Sequence, residues 1–187
     1  MADDPKPPVI IAAFPAPDEK EMIAFYYELG NCVSRWAFVD RQMYRLCRFG
    51  LRMDARQTAL FYYRQRAFNQ RLRFVDDALR SVLSKEQYRD DWQPIYAKID
   101  GLSHTRNIIV HHPSKRLGTS DGTKPIYQWS IHIEPFERLL NQDYKGLKGK
   151  EELYIEDLQQ HTIDVEAAEM ELRAFHRKLV LTAQGRP

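Results

Sequence analysis

Cysteine is scarce in this sequence, since Cys32 and Cys47 are the only two among 187 residues. If both lie on one helix, the helical rise places them about 22 Å apart, which is too far for a disulfide. Two thiolates at that spacing also cannot form the closed tetrahedral set of a structural zinc site. The sequence therefore excludes a disulfide-stapled secreted fold and a thiolate zinc domain.

Long hydrophobic runs are also missing. No apolar stretch approaches the roughly 20 residues that a membrane-spanning helix needs, and the mean hydropathy is −0.58. The chain begins MADDPKPP, which is acidic and rich in proline where a signal peptide would be basic. These absences predict a soluble protein of the cytoplasm.

The common catalytic motifs are absent as well. The sequence has no Gly-rich phosphate loop, no Ser/His/Asp set, no paired carboxylates at a useful spacing and no internal repeat. A chain of this length is typical of one globular domain. We therefore expect a single domain, and none of these motifs indicates a cofactor.

Charge is present in abundance and is unevenly distributed. Residues 31–80 contain eleven Arg or Lys against four Asp or Glu, whereas residues 134–171 contain four against eleven. This asymmetry either offers a basic face to an acidic partner such as nucleic acid, or lets the two regions neutralise each other within the fold.

Apolar periodicity predicts two long helices in the first half of the chain. The first begins after an N-cap at Asp18 and ends near Gly50. Its apolar stripe consists of Met22, Tyr26, Leu29, Val33, Trp36, Met43 and Leu46. The second helix covers about 54–83, with apolar residues spaced at sevens as in a helical bundle: Phe61, Phe68, Val75 and Val82.

Two more helices and one strand are predicted in the second half. The capping box formed by Ser84 and Gln87 begins a third helix, which ends where Pro113 disfavours helical geometry at the preceding residue. Residues 114–124 have the composition of a loop, and the β-formers of 126–133 predict a strand. A last helix covers about 163–183.

These segments together predict an all-α fold. We expect an up-and-down bundle of four to five helices, with a small β insertion between the third and fourth long helices. Residues 1–17 contain five prolines and are predicted to be a flexible tail. Residues 18–187 then form the single helical domain, in which 114–160 are the loop and β insertion.

The end of the third predicted helix carries the least ordinary residues of the chain. At about 100° per residue, four polar side chains form one stripe: Asp100, His104, Asn107 and His111. Arg106 points instead to the apolar face. Because a guanidinium cannot lose its charge, such a position requires an anionic or carbonyl partner, or a place at a cleft or interface.

Arg106 and Asn107, followed by three residues and His111, resemble the Arg-polar-x-x-x-His motif of HEPN domains. The resemblance covers the six motif residues and the helix order over about 18–183. An Arg and a His at this spacing are expected about 0.6 times by chance in this composition, and requiring the Asn lowers the number to about 0.01. HEPN domains are all-α bundles, commonly dimeric, and many are metal-independent endoribonucleases of toxin–antitoxin and defence systems.

The resemblance implies a role for each residue of the motif. His111 would be the general base or acid at the ribose 2′-hydroxyl. Arg106 would bind the scissile phosphate and stabilise its transition-state charge. Asn107 would fix the imidazole or contact the nucleotide. No metal would be needed, because the hydroxyl attacks the adjacent phosphorus and leaves a cyclic phosphate.

The resemblance also implies partners. Arg106 and His111 are separated by about 140° around the helix, which fits a homodimer that joins two motifs across its axis. His104 and His112 are further candidate RNA contacts, and a nucleotidyltransferase-like antitoxin would be the partner of a toxin. The alternative function is a non-catalytic helical module that binds nucleotide, RNA or a protein.

Other interpretations of these residues stay open. His111 and His112 also suit the C-terminus of a helix for structural reasons. Arg106 could form a salt bridge to the acidic last helix, for example to Glu166 or Glu169. A metal site could use three potential ligands on one face, although no second cluster completes it: Asp100, His104 and His111.

Arginines form two further stripes. The first, at the end of the first helix, consists of Arg41, Arg45, Arg48 and Arg52, and the second consists of Arg66, Arg73 and Arg80. The use of Arg rather than Lys, with Tyr44, Tyr62 and Tyr63 nearby, suits RNA binding through bidentate and stacking contacts. The same stripes would also fit solvated helix faces that pair with neighbouring acids.

Overall fold

The computed structural model describes residues 19–120, 125–133, 147 and 150–185. Within these residues the α-helices are α1 Glu19–Leu51, α2 Ala55–Arg64, α3 Phe68–Arg80, α4 Gln93–His111 and α5 Ile155–Ala183. A π-helical segment, Gln87–Trp92, leads directly into α4. The strands are β1 Ser114–Ser120, β2 Pro125–His132 and β3 Glu152–Leu153. The predicted tail and the predicted N-cap at Asp18 lie outside the described residues.

Consecutive helices run in opposite directions, as their contacts show. Tyr44 near the end of α1 bonds the carbonyl of Ala55 at the start of α2, whereas Tyr62 near the end of α2 bonds back to Asp40. The end of α3 contacts the segment that leads into α4, and the start of α3 contacts the middle of α4, through Asp76–Trp92 and Asn69–Ser103. The helices α4 and α5 are antiparallel in the same way, through Asp91–Lys178 and Lys98–Glu171. The predicted fold class, a helical up-and-down bundle with a small β insertion, is confirmed.

The main core lies where α1, α3, α4 and α5 meet. Its fully buried side chains include Val39, Met43, Leu46, Leu72, Val75, Trp92, Ile99, Val165 and Leu172. At Gly50 α1 lies close to α3, because a Cβ there would be only 2.8 Å from the backbone carbon of Ala78. Each large side chain buried here contributes about 1.5–3 kcal/mol of hydrophobic stabilisation. No helix among the described residues is both long enough and apolar enough to cross a bilayer.

A second, smaller core lies under the three-stranded sheet, whose strand order is β1-β2-β3. β1 and β2 form an antiparallel hairpin with Ser114 opposite Ile131 and Ser120 opposite Pro125. The sheet packs on the N-terminal part of α1 and the C-terminal end of α4 through Phe25, Cys32, Ile108, Ile109, Ile131, Ile133, Leu153 and Leu158. The insertion therefore anchors the end of α4 that carries Arg106 and His111.

The predicted strand over 126–133 is confirmed, but the predicted loop over 114–124 is wrong at its start. Residues 114–120 form β1 because they pair with β2 along their whole length. Pairing with a neighbouring strand outweighs a loop-like composition of Gly, Ser and Thr. The last helix also begins earlier than predicted, at Ile155, where the Asp157 carboxylate accepts the Tyr154 N–H at 3.0 Å.

The single helix predicted over 54–83 is wrong, because the chain breaks at residues 65–67 into α2 and α3. No proline or glycine lies at the break. The Arg71 side chain stabilises it instead, by donating to the carbonyl oxygens of Gln65 at 2.9 Å and Arg66 at 3.4 Å. Phe68 then packs on Trp36 with ring centroids 4.7 Å apart. The break is therefore a tertiary feature that the seven-residue spacing did not reveal.

The buried face of α1 also differs from the predicted stripe. Tyr26 and Val33 are both 44% exposed, and the core is filled by their neighbours Phe25 and Cys32. Cys32 and Cys47 are both buried free thiols, as the predicted absence of a disulfide requires.

His161 on α5 is a histidine buried in the core, with only 3% of its surface exposed. Its ring stacks on Trp36 at a centroid distance of 6.5 Å. Within the described residues, neither ring nitrogen has a hydrogen-bond partner, and the buried Thr105 hydroxyl beside it has none either. Both residues line a cavity of about 40 Å³. Burial lowers the pKa of His161 to about 4, because a charged imidazole loses its hydration there.

This burial predicts a specific loss of stability in acid. Between pH 7 and pH 5 the unfolded chain, whose His161 titrates near its ordinary pKa of 6.5, takes up a proton that the folded chain does not. The free energy of unfolding should therefore fall with pH by about 2 kcal/mol from this residue alone. The His161→Phe variant should lack that component when urea unfolding is measured across the range.

The control is His104→Gln, which changes a histidine whose side chain is 41% exposed. This control should retain the acid sensitivity of the native protein. A stability profile for His161→Phe that stays parallel to the native profile would contradict the interpretation.

Candidate functional site

A cleft of about 700 Å³ opens between α1, the α2–α3 turn and the C-terminal half of α4. Its lining residues are Val33, Trp36, Ala37 and Asp40 from α1, Arg66, Ala67, Phe68, Asn69 and Arg71 from the turn and α3, and Arg106, Asn107 and His111 from α4. All three residues of the predicted motif therefore line one cleft. We call it the α4 cleft.

The α4 cleft brings Arg106 and His111 together within a single chain. His111 is the exposed last residue of α4, and Asn107 lies one turn before it. Arg106 starts on the apolar side of the helix, but its long side chain turns towards the cleft and Nη1 donates to Oδ1 of Asn107 at 3.2 Å. The long side chain of Arg106 therefore spans the angle that separates Arg106 from His111 around the helix, so that both residues line the cleft.

Arg106 is a half-buried cation that forms no ion pair among the described residues. Its Nε is buried and has no hydrogen-bond acceptor within the described part of the chain. Burial is the main cause that lowers the pKa of this guanidinium, the positive charge of Arg71 adds to it, and the Asp40 carboxylate opposes it. An anion entering the cleft would supply a countercharge to this guanidinium.

The predicted alternative, a salt bridge from Arg106 to the acidic last helix, is wrong. Glu166 pairs with Arg35 at 2.9 Å, and Glu169 accepts from Arg173 at 2.8 Å. Both carboxylates face other cations because α5 packs on the opposite side of α1 from the cleft.

The cleft contains a second arginine whose charge is compensated. Arg71 Nη1 lies 2.9 Å from both carboxylate oxygens of Asp40, and this carboxylate also accepts the Tyr62 hydroxyl at 2.8 Å. Burial raises the pKa of the Tyr62 phenol, and the nearby Asp40 carboxylate raises it further. The phenol therefore stays protonated and donates.

Sequence reasoning did not identify Asp40, Arg66, Asn69 or Arg71 as part of the site. One signal was available, because Asp40 is the only acidic residue between positions 29 and 53 in a strongly basic stretch. Its partner on α3 could not be found from the sequence, because the break between α2 and α3 brings the two together.

The second arginine stripe is not one continuous surface. Arg66 lies in the break and lines the α4 cleft, while Arg80 bonds the Asp76 carboxylate and the Tyr88 hydroxyl. The two residues do not share a helix, so the prediction that Arg66, Arg73 and Arg80 form one stripe on a single helix is wrong, whereas RNA binding by these residues stays a prediction.

The remaining histidine predictions lie outside the α4 cleft. His112 is the C-cap residue of α4, and its buried Nδ1 has no partner within the described residues. His104 lies 3.9 Å from Asp100 and does not line the cleft. Among the residues that the structure describes, no three His, Cys, Asp or Glu side chains gather as metal ligands. The metal site considered from Asp100, His104 and His111 is therefore not formed.

Three of the four arginines of the first stripe line one groove, and the fourth does not. Arg45, Arg48 and Arg52 line a separate groove between the C-terminal ends of α1 and α5, together with His176. We call it the α1–α5 groove. Arg41 is exposed and lines neither the groove nor the cleft.

The hydrogen-bonded pair of Asp40 and Arg71 should stabilise the fold far more than an exposed ion pair that another residue of α1 forms. Removing the carboxylate with Asp40→Ala leaves the half-buried Arg71 guanidinium without its countercharge. It leaves the buried Tyr62 hydroxyl with only the backbone carbonyl of residue 40 as acceptor, at 3.1 Å. We expect a loss of about 2–3 kcal/mol in the free energy of unfolding, measured with urea.

The matched control is Glu166→Ala, which breaks the pair with Arg35, whose side chains are 46% and 44% exposed, against 22% and 20% for Arg71 and Asp40. Glu166→Ala should lower the free energy of unfolding by less than about 1 kcal/mol. Equal losses for the two variants would show that the contacts of Asp40 stabilise the protein no more than the exposed pair does.

Comparisons of the chain with protein-family models, with curated proteins and with solved structures gave no match. The resemblance to HEPN domains stays a prediction, which the motif and the helix order carry.

Proposed function

We propose that this chain is a metal-independent endoribonuclease of the HEPN type and that the α4 cleft is its active site. One observation carries the proposal. Arg106, Asn107 and His111 meet in a single open cleft, and Arg106 has no carboxylate at ion-pair distance among the described residues. A cation and an imidazole that share an open cleft suit a phosphodiester substrate better than an internal structural role.

The charges of the cleft favour a phosphate. Asp40 compensates Arg71, which leaves Arg66 and Arg106 as cations without an ion-pair partner in the described residues. A phosphodiester offers two non-bridging oxygens that match the forked donors of a guanidinium. Asn107, through its contact with Arg106, holds the guanidinium towards the cleft.

The proposed reaction is an internal transfer followed by release. His111 accepts the proton of the ribose 2′-hydroxyl, and the 2′-oxygen then attacks the adjacent phosphorus. The bond from phosphorus to the 5′-oxygen breaks, which leaves a 2′,3′-cyclic phosphate on one product and a 5′-hydroxyl on the other. Arg106 stabilises the negative charge that grows on the non-bridging oxygens. A general acid on the opposite side gives the 5′-oxygen its proton.

We further propose that a second copy of this chain provides that acid, as the predicted homodimer implies. Val33 lines the cleft and is 44% exposed, and Val110, next to His111, is 39% exposed. A second copy placed over the cleft would cover these two exposed apolar side chains. The site would then combine Arg106 and His111 of one protomer with His111 of the other, which acts as the acid.

Cleavage should depend on both motif residues. With a fluorescent RNA in EDTA, Arg106→Ala and His111→Ala should each reduce the initial cleavage rate at least about hundredfold. Arg106→Lys keeps the charge but loses the forked donors, so it should restore only part of the rate.

Arg35→Gln removes an exposed arginine that does not line the cleft and should leave the rate unchanged. Circular dichroism of each variant establishes that it is folded. Undiminished cleavage in both alanine variants would refute the assignment, and salt-sensitive RNA binding without cleavage by the native protein would favour the alternative of a non-catalytic binding module.

A shared site also predicts that a defective chain inactivates its partner. In a mixed dimer of a native chain and a His111→Ala chain, one site lacks the base and the other lacks the acid. Native chains exchanged with an excess of His111→Ala chains should therefore lose most of their cleavage rate. Sites contained within one chain would keep the full rate per native chain. The measurement is the cleavage rate after subunit exchange, with native and variant chains alone as the controls.

A further inference from the structure

The α1–α5 groove is a second concave basic feature, and it shares no lining residue with the α4 cleft. Its volume is about 700 Å³. Arg45, Arg48 and Arg52 supply its charge, while Phe49 and Met53 supply apolar surface on the same side. Volumes of this order are typical of sites for small organic ligands.

The charge of the groove has no internal compensation. Within the described part of the chain, none of its three arginines forms an ion pair, and Arg45 donates only to the neutral side chain of Gln42, at 3.2 Å. Glu169 of α5 is already bound by Gln42 at 2.7 Å and by Arg173 at 2.8 Å. Like charges held side by side repel each other, so a bound anion would stabilise this arrangement.

The pKa of His176 on α5 is affected by the positive charge of the groove. Its ring is half-buried in the groove, and its pKa is lowered by burial first and by the charge of Arg45 second. The groove therefore disfavours a further cation, as expected where three arginines face one space.

The backbone at Arg52 gives an independent indication of function. Arg52 has a φ of 54°, in the left-handed region, and its N–H bonds the carbonyl of Arg48 at 3.1 Å. Glycine is the usual residue in this conformation at the end of a helix, because a Cβ is disfavoured there. Strain of this kind is often retained where the side chain has a function. At this position the arginine side chain reaches the groove, and a glycine would not.

We propose that the α1–α5 groove binds a phosphate ester, with its arginines on the phosphate oxygens and Phe49 and Met53 against the attached apolar group. The same chemistry has two sources, a free nucleotide or the strand of an RNA. The proposal is independent of the α4 cleft and of the proposed cleavage activity.

Two probes distinguish the two sources. ATP represents the free nucleotide and is titrated by calorimetry. A fluorescein-labelled 2′-O-methyl oligoribonucleotide represents the strand and is followed by anisotropy, since its blocked 2′-oxygen cannot be cleaved. The test variants are Arg48→Gln, Arg52→Gly and the double variant. The controls are Arg35→Gln, which removes the same charge from an exposed part of α1, and Arg106→Ala, which alters only the α4 cleft.

The double variant should bind the relevant probe at least about tenfold more weakly, whereas Arg35→Gln should stay within about twofold of the native protein. Arg52→Gly should melt at the native temperature or above it, because glycine relieves the left-handed strain. This result would show that lost binding is not caused by unfolding.

Each outcome decides the proposal. Weakened ATP binding in the double variant, with Arg106→Ala unchanged, assigns a free nucleotide. No ATP binding together with weakened oligonucleotide binding assigns the strand. Native affinity of the double variant for both probes, no binding of either probe by the native protein, or an equal loss in Arg35→Gln would overturn the proposal. Because neither probe is cleaved, these results are separate from those of the cleavage assay.

Discussion

The contact between Asp40 and Arg71 is the interaction on which the functional surface depends. Arg71 donates to the carboxylate of α1 and to the last carbonyls around the end of α2, so one side chain joins three segments. This half-buried network stabilises a break in the chain that has neither proline nor glycine. Without the break, α2 and α3 would be one rod, Arg66 would lie on its surface, and no cleft would open opposite the end of α4.

Some of the unevenly distributed charges are neutralised within the fold, and others are not. Much of the acidic second half neutralises nearby cations, as Glu166 does for Arg35, Glu169 for Arg173 and Glu171 for Lys98. The arginines of the α4 cleft and of the α1–α5 groove are not included in this pairing. The acidic region therefore neutralises Arg35 of the basic region, whereas Arg66 and Arg106 of the cleft and the three arginines of the groove have no ion-pair partner among the described residues.

Periodicity predicted the helices well where a helix packs along its whole length, and less well where a local contact overrides it. The capping box at Ser84 and Gln87 is formed in both directions, at 3.1 and 3.2 Å, because capping depends on neighbours in the chain. The buried face of α1 is displaced from Tyr26 and Val33 to Phe25 and Cys32, since long-range packing selects among apolar neighbours. β1 forms for a similar reason, through a partner strand that its own composition does not indicate.

The sequence by itself determined the helical class, the position of the insertion, and the joint presence of Arg106, Asn107 and His111 near the end of one helix, because these follow from spacing along the chain. Only the tertiary structure decided that Arg106 has no carboxylate within ion-pair distance among the described residues, that Asp40 compensates Arg71, and that Arg45, Arg48 and Arg52 meet His176 in a groove. These are relations between residues distant in sequence. They depend on how the helices pack, and packing minimises the free energy of the whole chain rather than that of any one segment.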